Sequence, residues 1–293
     1  MMLKKESFLR TMKVIRTISE MRAFSTEMRK QGKRIGFVPT MGYLHEGHLS
    51  LMRVAHKHAD VLVVSIYVNP TQFGPNEDFD KYPRDFERDE ALCRQERVDA
   101  VFYPSNDEMY LPEHKTYIVT EELTNVLCGK SRPGHFRGVT TIVGKLFNIV
   151  QPDVAVFGQK DAQQAIVIKR MVEDLNFPVE IVVAPIIRET DGLAMSSRNK
   201  YLTPRQRKEA TVLFRSLQLA EDEYAAGNRD VDDIKQKMRT LIENESSGEI
   251  DYIEFVDAHL LNRPMLGERD VLVALAVYFG QTRLIDNTIL KAD

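Results

Sequence analysis

Apolar and polar positions alternate in blocks along the first two thirds of the chain. The short apolar run 35–39, IGFVP, follows Gln31-Gly32, and the eight residues 61–68, VLVVSIYV, are rich in β-branched types. Between them, Leu51, Val54, Ala55 and His58 recur at helical spacing within 47–59, flanked by Leu49 and Met52. Strand, helix, strand predicts a βαβ unit with parallel strands. The unbroken apolarity of 61–68 fits a strand covered on both faces. The alternation continues with a charged helix near 84–97 before a strand at 98–103, a helix near 138–151 before a strand at 153–157, and a helix over about 160–175 before a strand at 179–184. This predicts a doubly wound α/β sheet, whose ligands lie beyond the C-terminal strand ends where strand order reverses.

After about residue 187 the pattern changes. Helices over 204–226 and 230–245, then strands near 250–257, 270–279 and 282–289, predict a smaller α+β domain. The expected organisation is an N-terminal extension (1–11), an α/β domain (12–186) and a C-terminal α+β domain (187–293), joined through PIIRETDGLAMSSRNK at 185–200. Two domains suit 293 residues at roughly 150 residues per domain.

Composition narrows the function classes. A formal charge of −3 gives no whole-molecule attraction to nucleic acid or an anionic membrane, so any anion must be held by local groups. No apolar run reaches the roughly 18 residues that would propose a membrane span, and MMLKKESFLRT lacks the apolar stretch of a signal peptide. The two cysteines, Cys93 and Cys128, form no C-x-x-C pair and suit a reducing compartment. A cytoplasmic protein without nucleic-acid or membrane partners is expected.

Each strand-end loop carries candidate chemistry. The first, PTMGYLHEGHLSL (39–51), puts His45 and His48 where a helix begins, and helix N-termini favour anions. Gly42 and Gly47 would let a flat base or a phosphate approach the backbone. H-E-G-H misses the zinc-protease spacing H-E-x-x-H by one position and has no evident third ligand; a helix-capping role is the plain alternative. In the second loop, NPTQFGPNEDFDKYPRD (69–85), Asn69 and Gln72 are neutral amides suited to a hydroxyl and a carboxylate. The acids around it, among them Glu77, Asp78 and Asp89, could meet Mg²⁺ or could simply be solvated. The third, FGQKDAQQ (157–164), offers Lys160 to a phosphate or carboxylate and Asp161 to ribose hydroxyls, although Asp161 could equally cap a helix and Gln164 could be solvated. In the fourth, AMSSRN (194–199), two hydroxyls and Arg198 form a donor-rich anion clamp. SRPGHFRGV (131–139) adds Arg132, His135 and Arg137 on a Gly/Pro turn.

Taken together, PTMGYLHEGHLSL, NPTQFGPNEDFDKYPR, KSRPGHFRGV, FGQKDAQQ and DGLAMSSRN, in this order, resemble the pantoate–β-alanine ligase family, within the H-x-G-H superfamily of nucleotidyl-transferring enzymes. The resemblance spans about residues 12–290 and implies a Rossmann-like domain with a smaller C-terminal lid, typically as a homodimer. It implies condensation of pantoate with β-alanine, consuming ATP and releasing AMP and pyrophosphate through a pantoyl adenylate, with Mg²⁺. By motif position, Met41, Gly42, Tyr43, Leu44, His45, Glu46, Gly47 and His48 should line the ATP site, with His48 as proton donor. Gly158, Gln159, Lys160, Asp161, Ile187, Met195, Ser196, Ser197 and Arg198 should complete it. Gln72 and Gln164 should hold pantoate, Gln72 also lying at the β-alanine position; Thr40, Asn69 and Arg132 are further candidate substrate contacts. His45, Lys160 and Arg198 join His48 as candidate catalytic groups. Asp89 matches a position associated with Mg²⁺, but its neighbour is Arg88 rather than a second acid. The rival reading is a nucleotidylyltransferase that keeps the nucleotide in its product; it would share the H-x-G-H loop but not the Gln72 and Gln164 pair.

Overall fold

A computed structural model describes residues 12–75 and 77–293, so the expected extension 1–11 lies outside the described residues. The first part of the chain runs β1 (Lys13–Ile15), α1 (Ile18–Lys30), β2 (Ile35–Thr40), α2 (Glu46–Ala55), β3 (Val61–Ile66), α3 (Phe86–Gln95) and β4 (Ala100–Phe102). It continues through the short α4 (Asn106–Met109) and α5 (Leu127–Ser131) to α6 (His135–Val150), β5 (Val154–Gly158), α7 (Ala162–Asp174) and β6 (Glu180–Ala184). Its six strands pair in the order β1-β4-β3-β2-β5-β6, all parallel. All six residues of β3 are buried, as continuous apolarity on a two-sided strand requires.

Strand order reverses between β2 and β5, because the chain builds outward from β2 to β3 and β4 and later returns to its other side. The crevice at their C-terminal ends therefore opens between the loops that follow Thr40 and Gly158. One hydrophobic core, including Phe37, Phe136, Val139 and Ile168, fills one side of the sheet, and a second, including Val38, Leu51, Met52 and Cys93, fills the other.

The remainder comprises α8 (Pro204–Glu209), α9 (Val212–Ala225), α10 (Val231–Glu245) and an antiparallel sheet β7 (Glu249–Asp257), β8 (Val271–Phe279), β9 (Thr282–Leu290), paired in that order. The expected helix 204–226 is two helices. Thr203 and Gln206 cap α8 reciprocally, and the Thr211 hydroxyl donates back to the Lys208 carbonyl where the chain re-aims. A third core joins α9 and α10 to one face of this sheet. Val256, Leu272 and Ala274 belong instead to the first core, so the two sheets are tied by shared apolar burial.

Candidate functional site

The loop after β2 is shaped by backbone geometry that few residues adopt. Gly42 (φ +81°) and Tyr43 (φ +51°) both occupy the left-handed region. A Cβ on Gly42 would stand 2.9 Å from Asp89 Oδ2 and from Ile66 Cγ2, so glycine answers both conformation and space. The Thr40 hydroxyl donates to the Ser65 carbonyl and accepts from the Gly42 N–H, pinning the start of the turn. Asp89, on the first turn of α3, closes it: its oxygens accept from the Tyr43 N–H at 2.6 Å and the Leu44 N–H at 2.7 Å.

The turn delivers His45 as the N-cap of α2. Its Nδ1 accepts from the Gly47 N–H, and His48 Nδ1 accepts from the His45 N–H. An Nδ1 that accepts carries no proton, so in the neutral rings the proton sits on Nε2, and each ring has one N–H left to donate. The ring centroids lie 4.1 Å apart. Burial lowers the His45 pKa to about 4, helped by Lys160 and Arg88 against the opposing Asp161. Burial, then His45 and Lys160, hold His48 well below the ordinary value. Both imidazoles are neutral donors at neutral pH, and both feel Lys160.

Lys160 lies in the short 3₁₀ turn Gln159–Asp161 that follows β5, directly across the crevice. Asp161 is the common neighbour, within electrostatic reach of His45, His135 and Arg198. Its side chain makes no cap of the following helix. The fourth loop closes the ring. Met195 N–H donates to the Ile187 carbonyl, the Ser197 hydroxyl to the Tyr43 carbonyl, and the Ser196 hydroxyl accepts from the Arg198 N–H. Arg198 is engaged by Asp78 through two hydrogen bonds of 2.9 and 3.1 Å. A phosphate reaching this guanidinium must displace or join that carboxylate.

A cleft of about 1200 Å³ opens between the two sheets, with Lys160, Asp161, Gln164, Ser196 and Arg198 on its wall. Gln164 has no hydrogen-bond partner among the described residues, which leaves its amide available. Gln72 donates to Met41 Sδ at 3.2 Å and accepts from Asn69. Behind it, Arg132 is paired with Glu77 and donates to His135 Nε2, whose ring N–H at Nδ1 reaches the Gln72 carbonyl at 2.8 Å. Burial and the Arg132 charge lower the His135 pKa to about 4.

Several expected contacts are placed elsewhere. Asn69 is 1% exposed, and its amide is committed to Gly138, Gln72, Thr71 and Tyr110, so it holds the 3₁₀ turn Pro70–Gln72 rather than facing the cleft. Thr40 is likewise spent on its own turn, Leu44 is fully buried in the core, and Glu46 pairs with Arg53 on the outer face of α2. Asp89 does not fit a Mg²⁺ ligand: it is 1% exposed and both oxygens are taken by backbone N–H groups. Among the described residues no group of three His, Cys, Asp or Glu side chains could hold a metal ion. The partners Asp78 and Glu77 read only as two of many acids in the sequence, because nothing local announces a pairing across 120 or 55 positions.

Three half-buried or buried histidines with lowered pKa values carry a stability consequence. Unfolded, they bind protons near the ordinary value of 6.5; folded, His45 and His135 do so only near 4. Stability from these groups is therefore complete above about pH 6.5 and declines as pH falls from there towards about 4. The melting temperature should drop across that window, and less steeply in His135→Gln, whose amide can replace both ring contacts. A wild-type melting temperature that stays level between pH 6.5 and 4 contradicts this.

The family profile described as pantoate-beta-alanine ligase matches residues 13–289. The chain is 58% identical over 279 residues to a pantothenate synthetase of Thermotoga petrophila, covering 95% of this chain and 100% of that protein. It is 56% identical over 281 residues to the pantothenate synthetase of Caldicellulosiruptor bescii, covering 96% and 100%. A crystal structure of the Thermus thermophilus enzyme superposes with a TM-score of 0.89 at 43% identity, covering 94% of this chain and 98% of that one. A Francisella tularensis pantoate-beta-alanine ligase, solved as a complex described as containing beta-gamma ATP and beta-alanine, superposes with a TM-score of 0.79 at 35% identity, covering 95% and 98%.

Proposed function

Because the chain belongs to the pantoate–β-alanine ligase family, its activity is the ATP-dependent joining of pantoate to β-alanine, and we propose that the crevice between β2 and β5 is where both half-reactions occur. The observation that carries this placement is the convergence of three strand-end loops, bearing His45 and His48, Lys160, and Ser196 to Arg198, at the topological switch point. In the first half-reaction the pantoate carboxylate attacks the α-phosphorus of ATP and pyrophosphate leaves. In the second the β-alanine amine attacks the acyl carbonyl of the pantoyl adenylate and AMP leaves. Substrates supply both nucleophiles, so the chain needs no serine–histidine or cysteine–histidine pair.

The protein's share is orientation and charge. Two Nε2–H donors from neutral imidazoles, the Lys160 ammonium and the Ser196 and Ser197 hydroxyls face the triphosphate, where negative charge accumulates as pyrophosphate departs. Since His48 is neutral, we assign it hydrogen-bond donation to a phosphate oxygen; it takes up a proton only as that charge raises its pKa. Gln72 and Gln164 hold pantoate by neutral amides and leave its carboxylate nucleophilic, which an arginine would oppose. Arg132 lies on the cleft wall beside Gln72, but Glu77 balances its charge. The second sheet and its helices (187–293) act as a lid over the first unit (12–186), excluding water from the acyl adenylate. The test is product analysis: pantoate, β-alanine and ATP should yield pantothenate, AMP and pyrophosphate. A product that retains the nucleotide would favour a nucleotidylyltransferase instead.

Asp89 fixes the H-x-G-H turn, its oxygens committed to the Tyr43 and Leu44 N–H groups rather than to Mg²⁺. Asp89→Ala leaves the Tyr43 and Leu44 N–H groups without their acceptor, so KM for ATP should rise severalfold while the Mg²⁺ concentration giving half-maximal rate stays unchanged. A shift in that Mg²⁺ requirement would restore Asp89 as a ligand. We also propose a cytoplasmic homodimer. Leu111 (67% exposed) and Val119 (61% exposed) crowd one irregular segment with Tyr117, an apolar surface that a second copy would cover. Light scattering should give the dimer mass for the wild type and a shift towards monomer for Val119→Lys; a monomeric wild type removes the proposal.

A further inference from the structure

We propose that Asn287, on the edge strand β9 of the second sheet, is a positioning residue for Lys160. The inference rests on the reading of Lys160 as a phosphate-facing group. Asn287 is 3% exposed. Its Nδ2 donates to the carbonyls of Gln159 and Lys160, both at 3.0 Å, while its Oδ1 accepts from Gln159 Nε2 at 3.0 Å. The Gln159 amide thus fixes which end of Asn287 donates, and one side chain grips the backbone on both sides of the peptide that carries Lys160. A 3₁₀ turn of three residues has little internal hydrogen bonding to hold its shape, so an external clamp decides where the ammonium starts.

The clamp is itself anchored. Asp286, whose side chain is 1% exposed, accepts from the Asn287 N–H at 2.8 Å and takes both Nη atoms of Arg188, at 2.6 and 3.0 Å. Arg188 lies over the Phe214 ring and bridges to Ala194, next to the loop that carries Ser196 to Arg198. A single buried polar seam therefore joins β9 to the Lys160 turn and to the Ser196–Arg198 loop. Two anion-facing loops far apart in sequence are set by one pair of adjacent residues.

A double-mutant cycle with Lys160 separates positioning from bulk structure. Pantoate-dependent ATP–pyrophosphate exchange and melting temperature are measured for wild type, Lys160→Ala, Asn287→Ala and the double variant. Asn287→Leu serves as a near-isosteric variant that leaves no cavity. The expected result is a loss of roughly tenfold in kcat/KM for ATP in both Asn287 variants, with the pantoate KM little changed. No further loss should appear when Asn287→Ala is added to Lys160→Ala. Equal losses in the two backgrounds would make Asn287 merely structural and overturn the proposal, as would unaltered exchange in both Asn287 variants or unfolding of both. Normal exchange in Lys160→Ala alone would instead sink the underlying reading of Lys160, and the inference with it.

Discussion

Replacing His48 with alanine should lower pantoate-dependent ATP–pyrophosphate exchange by about 10²-fold, the usual effect of removing one preorganised donor from a site of developing charge. The loss should fall on kcat, because the donor matters most once charge has moved onto the departing pyrophosphate. His48→Gln, which can still present an N–H, should recover part of it. The fold should survive, since among the described residues the ring's hydrogen bonding within the protein amounts to accepting the His45 N–H at 3.3 Å. Because the ring is already neutral, kcat/KM for ATP should show no limb near pH 6.5 from His48. Wild-type exchange rates in a well-folded His48→Ala protein would remove His48 from the mechanism.

Gly138→Ala should strike both stability and pantoate binding. A Cβ there would lie 2.4 Å from the Thr71 carbonyl oxygen and 2.6 Å from the Gln72 backbone N and Cα. Those neighbours are backbone, so they cannot swing aside; α6 or the Pro70–Gln72 turn must shift. Overpacking of this kind costs about 1–3 kcal/mol. The shift also breaks the Asn69 bond to the Gly138 carbonyl and displaces Gln72 from Met41. We therefore expect a lower melting temperature together with at least about a tenfold rise in pantoate KM, on the basis that one misplaced buried hydrogen-bonding group costs about 1–3 kcal/mol. A variant with unchanged melting temperature and pantoate KM would show that the packing of α6 against the turn is slack.

Both expectations join features of unequal visibility in the sequence. The alternation of apolar runs with helical periodicity is enough to place β2, β3, β5 and β6 and the helices between them, since a two-sided parallel strand leaves an unbroken apolar signature. The first strand and helix escape that reading, although Thr17 and Glu20 form a reciprocal cap that announces α1 three residues apart. The loops are legible because Gly, His, Lys and Arg cluster at strand ends, where open α/β sheets place their ligands. What each side chain does inside its loop is not. Thr40, Asn69 and Asp89 look like ligand-facing groups in sequence, but all three are consumed by backbone partners 25, 69 and 45 or 46 positions away. The Asn287 clamp has no local signal at all, because it depends on how the second sheet docks against the first.

On the proposed function, the β2–β5 crevice activates pantoate as an adenylate before β-alanine takes part. Isotope exchange between pyrophosphate and ATP, measured without β-alanine, tests it most directly. Exchange should require pantoate, be lost in His48→Ala and Lys160→Ala, and give pantothenate with AMP once β-alanine is added. Exchange that proceeds without pantoate, or appears only in the presence of β-alanine, would contradict it.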